Sequence, residues 1–146
     1  MFTPFWKACL ALPEPREPVP APTDARGARP GVDSDDLSDW QLLPTQPEWA
    51  AGLRENWEPG EAPAHARLEA FLADDLPDYA AERDRPDRAV TSRLSPHLRW
   101  GEISPHELWH QTQARHAEGQ HAAAAQKFLA EVGWREFAWH ILFHFP

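Results

Sequence analysis

Thr91-Ser92-Arg93-Leu94-Ser95-Pro96-His97-Leu98-Arg99-Trp100-Gly101-Glu102-Ile103-Ser104-Pro105 is the stretch on which the reading of this chain turns. Three hydroxyls, from Thr91, Ser92 and Ser95, stand ahead of a proline-started helix. Ser95-Pro96 reads as an N-cap followed by proline at the first helical position, where the missing N–H costs no bond. Backbone N–H groups at such a start favour an anion such as phosphate. Ser104-Pro105-His106-Glu107 repeats the device and adds the Glu of a capping box, so a second helix is expected to run to about Arg115.

Further along lies Glu131-Val132-Gly133-Trp134-Arg135-Glu136-Phe137. Glu131, Trp134, Arg135 and Ala138 are spaced i, i+3, i+4, i+7 and so share a helical face. Glu131 and Arg135 are placed for an i, i+4 ion pair, worth only ~0.2–0.5 kcal/mol on a surface. Phe128, Val132, Trp139 and Phe143 form a separate apolar stripe that would serve the core. A large indole left on the charged stripe is what a plain surface helix does not explain. The helix is expected over Gln126 to Phe145.

Working outward, Leu68, Phe71, Leu72 and Leu76 give Ala62 to Leu76 the spacing of an amphipathic helix. Pro77 is expected to limit it, with a second short helix from Tyr79 to Asp84 ending before Pro86. Pro47-Glu48-Trp49 through Pro59-Gly60-Glu61 is punctuated by Pro and Gly and is expected to loop over the surface. No run alternates apolar and polar residues between turn signals, so no strand is expected. Six of the 16 prolines fall between Pro13 and Pro30, a composition that reads as an extended linker. Met1 to Leu12 is aromatic and apolar and stops abruptly there, like the exit from a structured element.

The formal net charge of −9 argues at first against a nucleic-acid partner. Its distribution changes that. Residues 1–78 carry fifteen acids and six bases, residues 79–146 eight of each, so the half holding the motifs is neutral. Arg83, Arg85, Arg88, Arg93 and Arg99 cluster there, with Glu82, Asp84 and Asp87 as ready partners on a solvated face. Cys9 is the only cysteine, which excludes an intrachain disulfide and a cysteine-based metal site. Neither a signal peptide nor an apolar run of the ~20 residues a membrane helix needs is visible.

His106-Glu107-Leu108-Trp109-His110 matches H-E-x-x-H, with His116 where a third zinc ligand would fall. Gln113 stands where a glycine would have to turn the chain, the only methionine is Met1, and His106 sits in the first turn of its helix. No metal is expected.

The Thr91–Pro105 block, with Asp78-Tyr79-Ala80-Ala81-Glu82-Arg83-Asp84 upstream and Glu131–Phe137 downstream, resembles the flavin-binding domain of the DNA photolyase and cryptochrome family. The likeness is greatest to class I cyclobutane pyrimidine dimer photolyases. It runs from Phe2-Thr3-Pro4-Phe5-Trp6 to Pro146, with a variable gap. It implies an all-α fold, the helical N-terminal part of the FAD-binding domain preceded by an extended Pro-rich linker. It divides the chain into 1–12 (the end of an N-terminal α/β antenna domain), 13–46 (linker) and 47–146 (part of the FAD-binding domain). The implied cofactor is FAD, contacted by Tyr79, Thr91, Ser92, Arg93, Leu94, Ser95, Phe128 and Arg135. A folate or deazaflavin antenna pigment belongs to the complete protein only.

The implied activity is light-driven repair of pyrimidine dimers by electron transfer from reduced FAD. Glu131 is the catalytic residue on this reading, and Arg83, Glu131, Trp134 and Ala138 meet damaged DNA. Departures are Trp100, where many relatives have another aromatic, and Phe128, where many have Trp. The chain is read as an incomplete piece of a cytoplasmic monomer. A cryptochrome-type blue-light photoreceptor and a non-functional remnant stay open as alternatives, and none of the eight tryptophans is given the family's electron-transfer role.

Overall fold

The computed structural model describes every residue except 25, 26, 28–32 and 117. The part of the proline-rich linker at 25, 26 and 28–32 therefore lies outside the described residues. The chain forms two compact units, Met1–Pro18 with Pro59–Pro146, and Val19–Glu58. Among the described residues all regular structure is helical.

The larger unit opens with α1 (Phe2–Leu10). The smaller holds a 3₁₀ turn at Leu37–Trp40 and a short helix, α2 (Ala51–Asn56). The Asp36 carboxylate starts the turn by accepting from the Ser38 N–H at 2.9 Å and the Ser38 hydroxyl at 2.7 Å. Residues 47–61 were expected to loop, yet they contain α2. One Glu48 oxygen accepts the Ala50 N–H at 2.8 Å and the other pairs with Arg54 one turn on. That carboxylate anchors a helix start for which the Pro and Gly punctuation gives no cue.

The rest of the larger unit begins with α3 (Glu61–Ala70). Leu68, Phe71, Leu72 and Leu76 are all buried, as their spacing predicts. Pro77 does not stop the chain. A π turn, Phe71–Asp75, follows α3 directly and leads into α4 (Leu76–Glu82). The Leu76 N–H bonds to the Phe71 carbonyl five residues back. Proline has no N–H to give, and its ring collides with the carbonyl four residues back in a continuous α-helix. The wider turn makes Pro77 an early residue of a new helix, where neither cost applies. The helix expected over 79–84 is therefore the second half of α4.

The fold continues with α5 (Ser95–Trp100), α6 (Pro105–His116) and α7 (Ala122–His144). Leu94, not Ser95, occupies the N-cap of α5, a shift of one residue that leaves the Ser95 hydroxyl out of the cap. Gly101, at φ 74°, closes α5 in a conformation open mainly to glycine. Ser104 does cap α6, its hydroxyl accepting the Glu107 N–H at 3.1 Å. The Glu107 carboxylate does not complete the box. It lies 3.0 Å from His65 Nδ1 and accepts from Gln111 at 3.1 Å.

α4, α6 and α1 pack against α7. The core is centred on Phe71, Tyr79 and Phe128, whose ring centroids lie 4.7 to 5.7 Å apart. The expected apolar stripe of α7 is buried only in part. Phe128 is inside and Val132 packs on the core, but Trp139 and Phe143 are 51% and 81% exposed. Fully buried positions on α7 end at Gly133; beyond it Trp134 and Phe137 are covered in part by the rings of α1, and Trp139 and Phe143 stay exposed.

α1 seats on α7 through rings. Phe2 stacks on Trp134 at 3.8 Å, and Phe5 meets Phe137 and His140 at 5.1 Å each. Trp6 lies against Gly133 so closely that a Cβ there would stand 2.6 Å from its ring. Residues 14–16 continue onto α6. Glu14 accepts from the Trp109 indole at 3.1 Å, and His110 Nε2 donates to the Pro15 and Arg16 carbonyls at 2.9 and 3.1 Å.

Gly133→Ala should accordingly unseat Trp6 and destabilise the chain by about 1–3 kcal/mol, the usual cost of overpacking. Urea unfolding measures the loss, and protease sensitivity at residues 1–12 should rise with it. Unchanged stability would mean that α1 does not hold this position.

Candidate functional site

α4, the turn before α5, α5 and α7 enclose a cavity of about 600 Å³. Leu94, Leu98, Leu108, Phe128 and Val132 give it apolar lining, and Thr91, Ser92 and Ser95 contribute hydroxyls. Four guanidiniums reach it, Arg83, Arg93, Arg99 and Arg135, against two carboxylates, Asp84 and Glu131. The acidic chain thus presents a locally cationic, hydroxyl-rich hollow over an apolar patch. Such a donor set suits a ligand with an anionic group and a flat apolar body.

Local chain geometry explains how the hydroxyl segment borders the cavity. Leu94 is buried and anchors the turn, while Thr91, Arg93 and Ser95 around it stay exposed. Arg93 adopts φ 52°, the left-handed region, at a cost of about 1–2 kcal/mol for a residue with a Cβ. Strain of this kind collects at ligand-binding turns, where surrounding structure enforces it.

Across the cavity, Tyr79 is almost fully buried against Phe71 and Phe128. Burial pushes its phenol pKa up, with the Arg83 charge opposing the shift. Arg83 sits 5.6 Å over the Tyr79 ring and donates to its phenol oxygen at 3.4 Å. The same Nη1 donates to Glu131 Oε1 at 2.5 Å, and Nε donates to Asp84 at 3.2 Å. The Glu131 bond is the main cause that pushes the Arg83 pKa further up, fixing the guanidinium as charged.

The expected i, i+4 pair between Glu131 and Arg135 is therefore not the one made. Glu131 reaches across to Arg83 on the adjoining turn, and Arg135 pairs with Glu136. Arg83 is held in place by the packed Tyr79 beneath it, so it meets Glu131 with little further loss of side-chain freedom. The solvated reading of the arginine cluster holds for two members: Arg85 pairs with Asp87 at 2.7 Å and Arg88 with Glu82 at 3.0 Å.

Of the residues singled out in the sequence, Tyr79, Arg83, Thr91, Ser92, Arg93, Leu94, Ser95, Phe128, Glu131 and Arg135 all line this one cavity. Trp134 and Ala138 do not. At about 100° per residue, Phe128, Val132, Arg135 and Trp139 fall on one narrow arc of α7 with Glu131 at its edge. Trp134 lies ~60° beyond Glu131, and its ring turns to Phe2. The reading of the sequence missed Trp139 as a lining residue, although its i+4 relation to Arg135 was the available signal. Of the H-E-x-x-H histidines, His110 bonds the 15–16 backbone, and the more distant His116 lies 2.9 Å from the Leu72 carbonyl. Among the described residues no three His, Cys, Asp or Glu side chains converge as metal ligands, and no helix is long and apolar enough to cross a membrane.

No protein-family model matches the chain. The deoxyribodipyrimidine photo-lyase of Agrobacterium fabrum is 41% identical over 148 residues, covering 100% of this chain and 30% of the relative. Cryptochrome-1 of Arabidopsis thaliana is 30% identical over 155 residues, covering all of the chain and 22% of that protein. The crystal structure of a bacterial class III photolyase from Agrobacterium tumefaciens superposes with a TM-score of 0.89 at 41% identity, again over 100% of this chain and 30% of that one. The sequence motifs were likened to class I, and the solved relative is a class III photolyase. The chain spans about 30% of the length of the photolyases it matches. Motifs, all-helical fold and whole-chain matches agree, and the chain belongs to the DNA photolyase and cryptochrome family.

Proposed function

We propose that this chain is the flavin- and DNA-facing segment of a light-driven lyase that repairs cyclobutane pyrimidine dimers. The observation that carries the reading is the single cavity in which the hydroxyl segment 91–95, Tyr79, Phe128, Arg135 and the Arg83–Glu131 pair meet. Its donor set fits FAD. The hydroxyls of Thr91, Ser92 and Ser95 with the Arg93 guanidinium suit a pyrophosphate, while Leu94, Phe128 and the buried Tyr79 ring suit a flat aromatic body. Arg135 supplies a further cation near that body. Reduced FAD, when bound, supplies the photoexcited electron that splits the dimer.

The chain's own residues bind and orient. Arg83 takes a strand phosphate, a contact that positions without reading sequence. Glu131 hydrogen-bonds a pyrimidine and, once protonated or bridged by a donor, steadies charge arriving there. Trp134 and Ala138 border the space beside Glu131. Trp134 keeps one ring face on Phe2 and is 47% exposed, which leaves the other face for stacking on an extruded base. The full protein, on this reading, is a cytoplasmic monomer with an antenna domain ending at residues 1–12, a linker at 13–46 and a pigment of folate or deazaflavin type. The 30% identity to a cryptochrome over the whole chain favours a flavin photoreceptor as the second reading.

Titrating FAD into the chain and following flavin anisotropy tests the cofactor part. Arg93→Ala combined with Ser92→Ala should weaken binding by about tenfold or more, as expected on losing charge-assisted bonds to an anion. Equal affinity would remove the 91–95 segment from the site.

The lyase part is tested in a protein joining this segment to the remaining length of its relatives. Glu131→Ala should keep flavin content and lower dimers repaired per absorbed photon by about tenfold or more. A repair yield that stays at the wild-type value sinks the catalytic assignment. In the same protein Trp134→Ala should weaken binding to dimer-containing DNA by ~1–3 kcal/mol, with little change on undamaged DNA. Equal losses on both would make the indole a seat for α1 alone.

A further inference from the structure

The Arg83–Glu131 bridge ties together the two side chains to which the proposed function gives separate tasks. Arg83 is to take a phosphate, and Glu131 a pyrimidine. In this structure neither is free to do so. Arg83 Nη1 is 2.5 Å from Glu131 Oε1, with side chains only 21% and 32% exposed. The guanidinium is pinned from below by Tyr79 and from the side by Asp84. Among the described residues Glu131 is tethered by the bridge alone, whereas Arg83 is also held by Tyr79 and Asp84, and Arg135, the i, i+4 neighbour of Glu131, pairs with Glu136 instead.

We propose that this bridge is a displaceable latch: a phosphodiester of a nucleic-acid strand arriving at Arg83 replaces the Glu131 carboxylate and releases it into the cavity. Resting on the function proposed above, it adds the order of events at that site. A phosphate can take over the guanidinium without moving it, since the planar fork presents several donors and phosphate accepts from them as well as carboxylate does. Two anions on one guanidinium repel, so the arriving phosphate also pushes the carboxylate away. By linkage the effect is reciprocal. Whatever draws Glu131 aside, a pyrimidine for instance, strengthens phosphate binding at Arg83 by the same factor. The strand contact that carries no sequence information thereby becomes the trigger that readies the lesion contact.

The test uses the 146-residue chain and a fluorescently labelled ten-nucleotide oligothymidylate, with binding read by anisotropy at low salt. Glu131→Gln keeps the side chain's size and removes the competing charge. It should tighten binding by about fivefold, the scale of a partly exposed ion pair. The gain should vanish in an Arg83→Gln background. Asp78→Asn, the same charge change on α4, should shift affinity less than twofold if the effect is local. Should Glu131→Gln lose its helical circular dichroism, Glu131→Asp draws the carboxylate back by one methylene and should still tighten binding. Equal or weaker binding by the folded variants, a gain that survives Arg83→Gln, or no binding by any form overturns the latch. Inorganic pyrophosphate as competitor separates the strand from a cofactor's phosphates: a Glu131→Gln gain seen for pyrophosphate alone would overturn the strand assignment. Flavin binding is read independently, so a failed latch and a failed flavin site give different results.

Discussion

The Phe71–Tyr79–Phe128 contact is the constraint on which both fold and site depend. Each ring belongs to a different piece: the π turn, α4 and α7. Their edge-on and tilted approaches within 4.7 to 5.7 Å fix α4 against α7 at one height and one rotation. Everything that faces the cavity from those helices follows from that rotation. Tyr79 presents its hydroxyl to Arg83, Arg83 is four residues on from Tyr79, and Phe128 puts Glu131, Val132 and Arg135 on the facing arc. The buried aromatic core and the charged rim are therefore one structural unit, not a scaffold with a site added to it.

The π turn is what lets that unit exist with Pro77 in its sequence. A regular helix from Glu61 to Glu82 would have met the proline ring at Ala73 and lost a bond. Spending one wide turn at Phe71–Asp75 moves the proline to a harmless place and alters the phase of everything after it. Asp75, on that turn, is partly shielded from water, which together with Asp74 beside it pushes its carboxyl pKa up. A helix that stopped at Pro77, as the sequence suggests, would not carry Tyr79 into the core alongside Phe71.

Much of this was legible in the sequence, and the failures have a common cause. The all-helical class, the burial of Leu68, Phe71, Leu72 and Leu76, the Ser104 cap and the gathering of Tyr79, Ser92, Arg93, Phe128 and Glu131 all follow from local spacing or from motif resemblance. What could not be read were choices made between elements. Spacing alone offers Glu131 the partner Arg135, yet tertiary contact supplies Arg83. The apolar stripe of α7 is regular to Phe143, yet its burial ends at Gly133 because cover is a property of neighbouring helices. Pro77 reads as a stop because a π turn has no sequence signature comparable to a cap.

Trp134 brings these points together. Glu131, Trp134, Arg135 and Ala138 share a face only loosely, for at ~100° per residue they spread over about a quarter of the helix circumference. Arg135 ends up toward Phe128 and the hydroxyl segment, Trp134 toward Phe2, with Glu131 between them. An aromatic ring that stacks on the exposed face of Trp134 therefore lies on one side of Glu131, while an anion held by Arg93 and Ser92 lies on the other. Glu131 is the side chain of α7 that borders both regions, and Arg83 is what holds it at that boundary. On the latch proposed above, that placement makes the release of the carboxylate from Arg83, more than its mere presence, the step that links the two halves of the site.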